Sequence, residues 1–155
     1  MTVRSLVITL VVSLAASLQA QRAADFSGTW VLNPARSQNL GPMAAMEDTA
    51  TIVQTADKLT ITDRVRMRGQ DSTREQQFDL TGKPATNAGP MGDQNDTVAT
   101  WMDGKLVVTW TAEGAIAGTK VVRTETRSLS SDGKTLTVVS VRGSLAPIVM
   151  VYDRR

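Results

Sequence analysis

Asp25-Phe26-Ser27-Gly28-Thr29-Trp30-Val31-Leu32-Asn33-Pro34 is the first segment after an apolar leader that can form a strand. Phe26 to Leu32 alternates loosely between apolar and polar side chains, which sets Gly28 and Trp30 on one face. Asn33-Pro34 stops it, because proline has no N–H with which to continue a ladder. Everything downstream reads as strand, turn, strand, so this opening strand is expected to be the seam of a closed sheet.

The hairpins that follow can be tested by register, since directly opposed residues share a face of the sheet. With Asp57-Lys58 as the turn, Ala50, Ile52, Gln54, Ala56, Leu59, Ile61, Asp63 and Val65 fall on one side. Thr51, Val53, Thr55, Thr60, Thr62, Arg64 and Arg66 fall on the other. The first face is mostly apolar and the second mostly polar, as a half-buried strand pair requires. A turn at Gly69-Gln70 then sets Phe78 opposite Ile61, Leu80 opposite Leu59 and Arg74 opposite Val65 inside, with Arg64 meeting Glu75 outside. Both hairpins agree on the buried side of the strand they share.

Asp103-Gly104 is the dipeptide that a type I′ turn needs, and it gathers Ala99, Trp101, Leu106, Val108 and Trp110 on one face. Asp132-Gly133 repeats the device, with Leu129 opposite Leu136, Arg127 opposite Val138 and Glu125 opposite Ser140. Gly143 to Pro147 turns the chain into a last strand, Ile148 to Tyr152. Two stretches are expected to be loops: 34–46, with room for one helical turn at its end, and the Gly/Pro-rich 81–95. The leucines of the recurring turn-and-strand unit, Leu59, Leu106 and Leu136, stand 47 and then 30 residues apart, which is no solenoid or propeller period. Eight to ten short strands without a long helix make the chain all-β, an antiparallel meander closed as a barrel or stacked as a sandwich. Consecutive hairpins favour the up-and-down barrel.

Residues 1–20 are expected to be a signal peptide: Arg4 leads, Leu6 to Leu18 is apolar and uncharged, and Ala20 offers a cleavage point. The run is short for a bilayer span, and no cysteine follows it to carry a lipid anchor. Residues 21–155 are then expected to be one exported domain, periplasmic or extracellular. Without Arg4 the 17 basic residues fall to 16 against 15 acidic ones, a balance that argues against nucleic acid or an anionic membrane as main partner. The chain has no cysteine, so it must hold together without disulfides. It has no histidine, which removes Ser-His-Asp triads, histidine acid/base chemistry and the usual zinc sites. Haem held by an axial histidine or cysteine goes with them. Asp93-Gln94-Asn95-Asp96 lacks the rest of a calcium loop, and no metal or cofactor is expected.

The candidate site is a polar set on the inner face. Asp63, Arg74, Gln76 and Gln54 lie there in the first hairpins, and Arg123, Glu125 and Arg127 alternate along a later strand. A solid apolar core would not tolerate them unpaired, whereas a barrel with a wet interior would line its cavity with them. There an arginine pair could clamp a carboxylate or phosphate bidentately. The opposite facing of strand 121–129, with Val122 and Val139 inside and the charges in solvent, fits the pattern equally well. Trp101 and Trp110 read either as core packing or as walls of a ligand cavity. Asp63 and Glu125 are the carboxylates this register places inside, and nothing in the sequence sets their separation. No catalytic residue is assigned, and an enzyme is not expected.

Gly28-x-Trp30 at the head of an all-hairpin chain resembles the lipocalin (calycin) barrels, in which the tryptophan plugs the closed end. Trp30-Val31-Leu32-Asn33-Pro34-Ala35-Arg36-Ser37, with Leu129-Ser130-Ser131-Asp132-Gly133-Lys134-Thr135-Leu136-Thr137, is similar to a group of small exported bacterial lipocalin-like proteins. That likeness runs over nearly the whole mature chain. It implies a lipocalin-like barrel, with Gly28 and Trp30 as a structural plug and a late arginine (Arg142, Arg123 or Arg127) stacked on the indole. The lack of cysteines departs from many secreted lipocalins. The avidin family opens similarly, but its ligand-contacting pattern is missing here, so biotin binding is not expected.

Two functions follow as expectations. The first is a monomeric barrel that binds a small apolar or amphipathic molecule in its lumen through Trp101, Trp110, Asp63, Arg74, Gln76, Arg123, Glu125 and Arg127. The second is a filled scaffold whose loops 34–46 and 81–95 bind another protein, as an inhibitor or envelope component. A lumen of a few hundred Å³ separates the two.

Overall fold

The computed structural model describes residues 23–89 and 92–155; the expected signal peptide lies outside them. Ten strands follow one another: β1 (Gly28–Leu32), β2 (Glu47–Gln54), β3 (Lys58–Met67), β4 (Gln70–Asp79), β5 (Ala85–Ala88), β6 (Gln94–Met102), β7 (Lys105–Glu113), β8 (Lys120–Leu129), β9 (Thr135–Arg142) and β10 (Ile148–Arg154). They form one antiparallel sheet in the order β4-β3-β2-β1-β10-β9-β8-β7-β6-β5. The expected all-β meander is borne out, and it curls into a nearly closed barrel. Among the described residues no helix is long and apolar enough to cross a membrane.

The seam is not where the opening strand suggested. β1 is an interior strand, with Thr29 opposite Thr51 of β2 and Trp30 opposite Arg154 of β10. The ladder breaks instead between β4 and β5, at the two ends of the sheet order. Asn87 bridges that break with its side chain. Its Oδ1 accepts from the Gln77 N–H at 2.8 Å, and its Nδ2 donates to the Gln77 carbonyl at 2.8 Å. Nδ2 also donates to Thr97 Oγ1 at 2.8 Å. One side-chain amide thus fills the place of a missing peptide group at a part-buried point of the seam.

The expected loop 81–95 is corrected by the same feature: it holds β5 and the first residues of β6, joined where Gly89 N–H donates to the Asp93 carbonyl at 2.6 Å. Segment 34–46 holds two short 3-10 turns rather than one helical turn, at Pro34–Arg36 and Gly41–Ala45, with Leu40 buried between them. The Asn33 side chain caps the first, accepting from Arg36 N–H at 3.3 Å.

The first two hairpins are displaced by two residues from the expected registers. Gln54 opposes Leu59, so the turn is Ala56-Asp57; there Thr55 N–H donates to the Lys58 carbonyl, and its hydroxyl donates to Asp57. In the second hairpin Leu59 opposes Phe78, Ile61 opposes Gln76 and Asp63 opposes Arg74, while Arg64 meets Thr73. Arg68 and Gly69, at φ 52° and 78°, make the left-handed pair that a two-residue turn demands. A slip of two leaves every side chain on its expected face, whereas a slip of one would have inverted the strand. The Asp103-Gly104 and Asp132-Gly133 hairpins carry the expected registers, with Trp101 opposite Leu106 and Leu129 opposite Leu136.

The core gathers Phe26, Trp30, Ile52, Leu59, Ile61, Phe78, Leu106 and Trp110. Phe26 stacks flat on Trp101, centroids 5.9 Å apart, and Trp30 Nε1 donates to the Phe26 carbonyl at 2.8 Å. Gln54 belongs to this end too: its amide accepts from Phe26 N–H and donates to the Ala24 carbonyl.

Candidate functional site

A cavity of about 510 Å³ occupies the part of the barrel toward the 34–46 segment and the β3–β4 turn. Its lining combines six ionisable side chains, Asp48, Asp63, Arg74, Arg123, Glu125 and Arg127, with Gln76 and Tyr152. Met43, Met46, Met67 and Met150 supply much of the apolar part. The thioether side chain is unbranched and polarizable, which suits a surface that must adapt to its contents.

β8 carries the densest charge. Alternation along the strand puts Arg123, Glu125 and Arg127 on the inner face, while Val122 and Val141 stand in solvent. The facing that would bury Val122 is therefore not adopted. Glu125, only 7 % exposed, bridges its two neighbours: Oε1 lies 3.3 Å from Arg123 Nη2 and Oε2 lies 2.9 Å from Arg127 Nη2. Two cations share one anion, so β8 keeps a surplus positive charge. The guanidinium of Arg123 also lies over the Trp110 ring, 4.5 Å from its centroid, and that ring meets Phe78 edge-on at 5.6 Å. Such stacking stabilises a cation while leaving its N–H edges free.

The opposite wall holds a cross-strand pair. Asp63 on β3 faces Arg74 on β4, and their side chains meet at 3.0 Å. Beside them Asp48 is 6 % exposed and accepts a hydrogen bond on Oδ2 from the Tyr152 hydroxyl at 2.9 Å. Burial, reinforced by the Asp63 charge, pushes the Asp48 carboxyl up to about 6. Burial, with the charge and hydrogen bond of Asp48, pushes the Tyr152 phenol well above its usual value. Several polar atoms here have no hydrogen-bond partner among the described residues: Asp48 Oδ1 and the Nε atoms of Arg74, Arg123 and Arg127.

The structure brings together six of the residues singled out from sequence: Asp63, Arg74, Gln76, Arg123, Glu125 and Arg127. It does not bring the tryptophans. Trp101 packs on Phe26, and Trp110 is 1 % exposed beneath Arg123, so neither lines the cavity. Gln54, too, is occupied by the N-terminal segment. The arginine stacked on Trp30 is Arg154, at 4.3 Å from the ring centroid, and not Arg142, Arg123 or Arg127. Sequence reading missed Asp48 and Tyr152. Asp48 shares the parity of Ala50 and Ile52, which is signal enough to place it inside, but its partner stands 104 residues away.

Among the described residues no group of three His, Cys, Asp or Glu is placed to hold a metal ion. What the arrangement can do is receive an amphipath: apolar and methionine surface for its body, and a compensated set of charges with free donors for its polar end.

No family model matches the chain, and no curated protein does. Solved structures do. Human cRBP IV shares 19% identity at a TM-score of 0.64, covering 85% of this chain and 99% of that one. Echinococcus granulosus fatty-acid-binding protein 1 shares 14% at a TM-score of 0.62, covering 83% and 96%. Apo Caenorhabditis elegans lipid binding protein 8 shares 15% at a TM-score of 0.62, covering 91% and 100%. At such identities the likeness concerns fold, and together with the ten-stranded meander it makes this chain a calycin-like barrel.

Proposed function

We propose that the chain is an exported, monomeric carrier, acting in a periplasm or outside the cell, that binds a small apolar or amphipathic molecule in its lumen. The observation that carries this reading is the cavity: about 510 Å³ lies within the usual range of ligand sites, roughly 300–1,000 Å³. Its composition supports an amphipath. The surplus positive charge on β8 suits a carboxylate or phosphate, since charge-assisted bonds from guanidinium are the strong ones. Proteins with the same fold are named as fatty-acid-binding and lipid-binding proteins, which supports a non-catalytic role. Met43 and Met46 turn segment 34–46 toward the cavity, which favours a mouth over a docking loop for another protein.

Native mass spectrometry tests it, on protein secreted by its own signal and purified without detergent. A discrete added mass, lost on denaturation and extractable into organic solvent, is the expected result. Arg123 rests on Trp110, so ligand entry is also expected to change tryptophan fluorescence. A bare mass, together with no fluorescence response to fatty acids or retinoid-like compounds, would overturn the carrier reading.

A further inference from the structure

We infer that the ligand carries a hydroxyl group close to its anionic end, and that Asp48, held by Tyr152, reads that hydroxyl. The inference rests on the carrier reading and specifies its ligand. Buried polar groups in folded proteins are nearly always hydrogen-bonded, and an exception asks for an explanation. Asp48 is such an exception: it is buried, it lines the cavity, and one of its two oxygens is satisfied by Tyr152 while Oδ1 has no partner among the described residues.

Among the described residues none of the chain's donors reaches Oδ1. Tyr152 has a single O–H, directed at Oδ2 with Met150 Sδ a more distant acceptor at 3.7 Å. Arg74 gives Nη2 to Asp63, and Arg127 gives Nη2 to Glu125. A ligand is left to meet Oδ1, and Asp48 is near enough to Arg74 and Arg127 for both to act on its charge. The group that meets it therefore lies close to whatever anion the arginines take.

The chemistry of that group is narrowed by charge. Three guanidinium groups face this lumen with only Asp63 and Glu125 paired to them, so an ammonium would add a fourth cation beside them. A hydroxyl adds none. It also suits Asp48 in either protonation state, donating to the carboxylate and accepting from the acid. Burial and the Asp63 charge raise the carboxyl to about 6 against the lowering pull of Tyr152, Arg74 and Arg127, so both states are populated near neutrality.

The test compares dodecanoate, 3-hydroxydodecanoate and 1-dodecanol on the mature protein, with titration calorimetry and tryptophan fluorescence as readouts. The hydroxy acid is expected to bind about tenfold tighter than dodecanoate, as sites built around a hydroxyl penalise the analogue lacking it. In Asp48→Ala that preference is expected to fall to about unity, because its origin is gone. Equal binding of the two acids by the wild type would overturn this inference while leaving the carrier reading in place, and it decides the matter even if the variant does not fold. A preference that persists in Asp48→Ala overturns the assignment to Asp48. Failure of all three compounds to bind overturns the carrier reading, and this inference with it.

Discussion

Arg154 lies across the indole of Trp30, its Cζ 4.3 Å from the ring centroid, and the bare backbone of Gly28 gives it the room to do so. A Cβ at position 28 would stand 2.9 Å from Arg154 Nη1, and the residue's φ of +135° disfavours any side chain there. Arg154 is tied down further by donating to the carbonyls of Gly133 and Ser27, so the last strand closes over the first. Gly28→Ala is expected to cost about 1–3 kcal/mol, the usual range for a strained backbone position. Trp30→Ala should cost more, about 3–5 kcal/mol, as a large buried aromatic does. Urea unfolding followed by circular dichroism measures both, and a Gly28→Ala midpoint equal to the wild type would refute the account.

The β4–β5 break makes a separate expectation. Asn87 is the bridge, so Asn87→Ala leaves the Gln77 N–H and carbonyl without their partner. The loss should be about 1–3 kcal/mol, from two part-buried hydrogen bonds at about 0.5–1.5 kcal/mol each. Amide exchange identifies the place as well as the size: the Gln77 amide should exchange faster, while the β8–β9 ladder stays protected. Unchanged protection at Gln77 would mean the seam is held by something else.

Glu125 should matter far more than an ion pair on the surface. Glu125→Ala leaves Arg123 and Arg127 facing each other in a buried site, and breaking such a group typically costs about 3–5 kcal/mol. The Glu113–Lys120 pair between β7 and β8 is exposed on both sides, and Glu113→Ala should leave the thermal midpoint where it is. Equal effects from the two variants would remove the case for a buried charge triad.

Asp48 supplies a pH dependence with a definite sign. Its folded pKa of about 6 lies above the ordinary carboxylate value of about 3.9. Between those limits the folded protein binds more protons than the unfolded one, so stability rises as pH falls from 6 toward 4. The penalty is fully present above pH 6 and amounts to on the order of 2–3 kcal/mol. Asp48→Asn should remove it, being more stable than the wild type at pH 7.5 and no better near pH 4. Parallel stability curves for the two proteins would show that Asp48 titrates normally.

Much of the barrel was legible because a strand's side-chain period is two. Parity alone put Asp63, Arg74 and Gln76 inside, and it survived a two-residue error in two hairpins. Asp-Gly turns at 103–104 and 132–133 mark their registers: Asp103 and Gly104 both take the positive φ of a two-residue turn, and in the longer second connection Gly133 takes it alone. Parity failed on strand 121–129, where valines and charged residues alternate with nearly equal claims on the interior. Composition misled at 81–95, where glycine and proline concealed a short strand.

By itself, then, the sequence determined the local alternation and the turns, and through them an antiparallel meander with a polar stripe on its inner side. Only the tertiary structure decided which groups that stripe would meet. Glu125 makes the inward facing of β8 tolerable by compensating Arg123 and Arg127, and Trp110 supports Arg123 from a neighbouring strand. Asp48 finds Tyr152 across 104 residues, and Asn87 completes a ladder between strands that never pair along their length. Each of these depends on distances between strands remote in sequence. Such distances are set by the closure of the barrel as a whole, and no local pattern of residues encodes them.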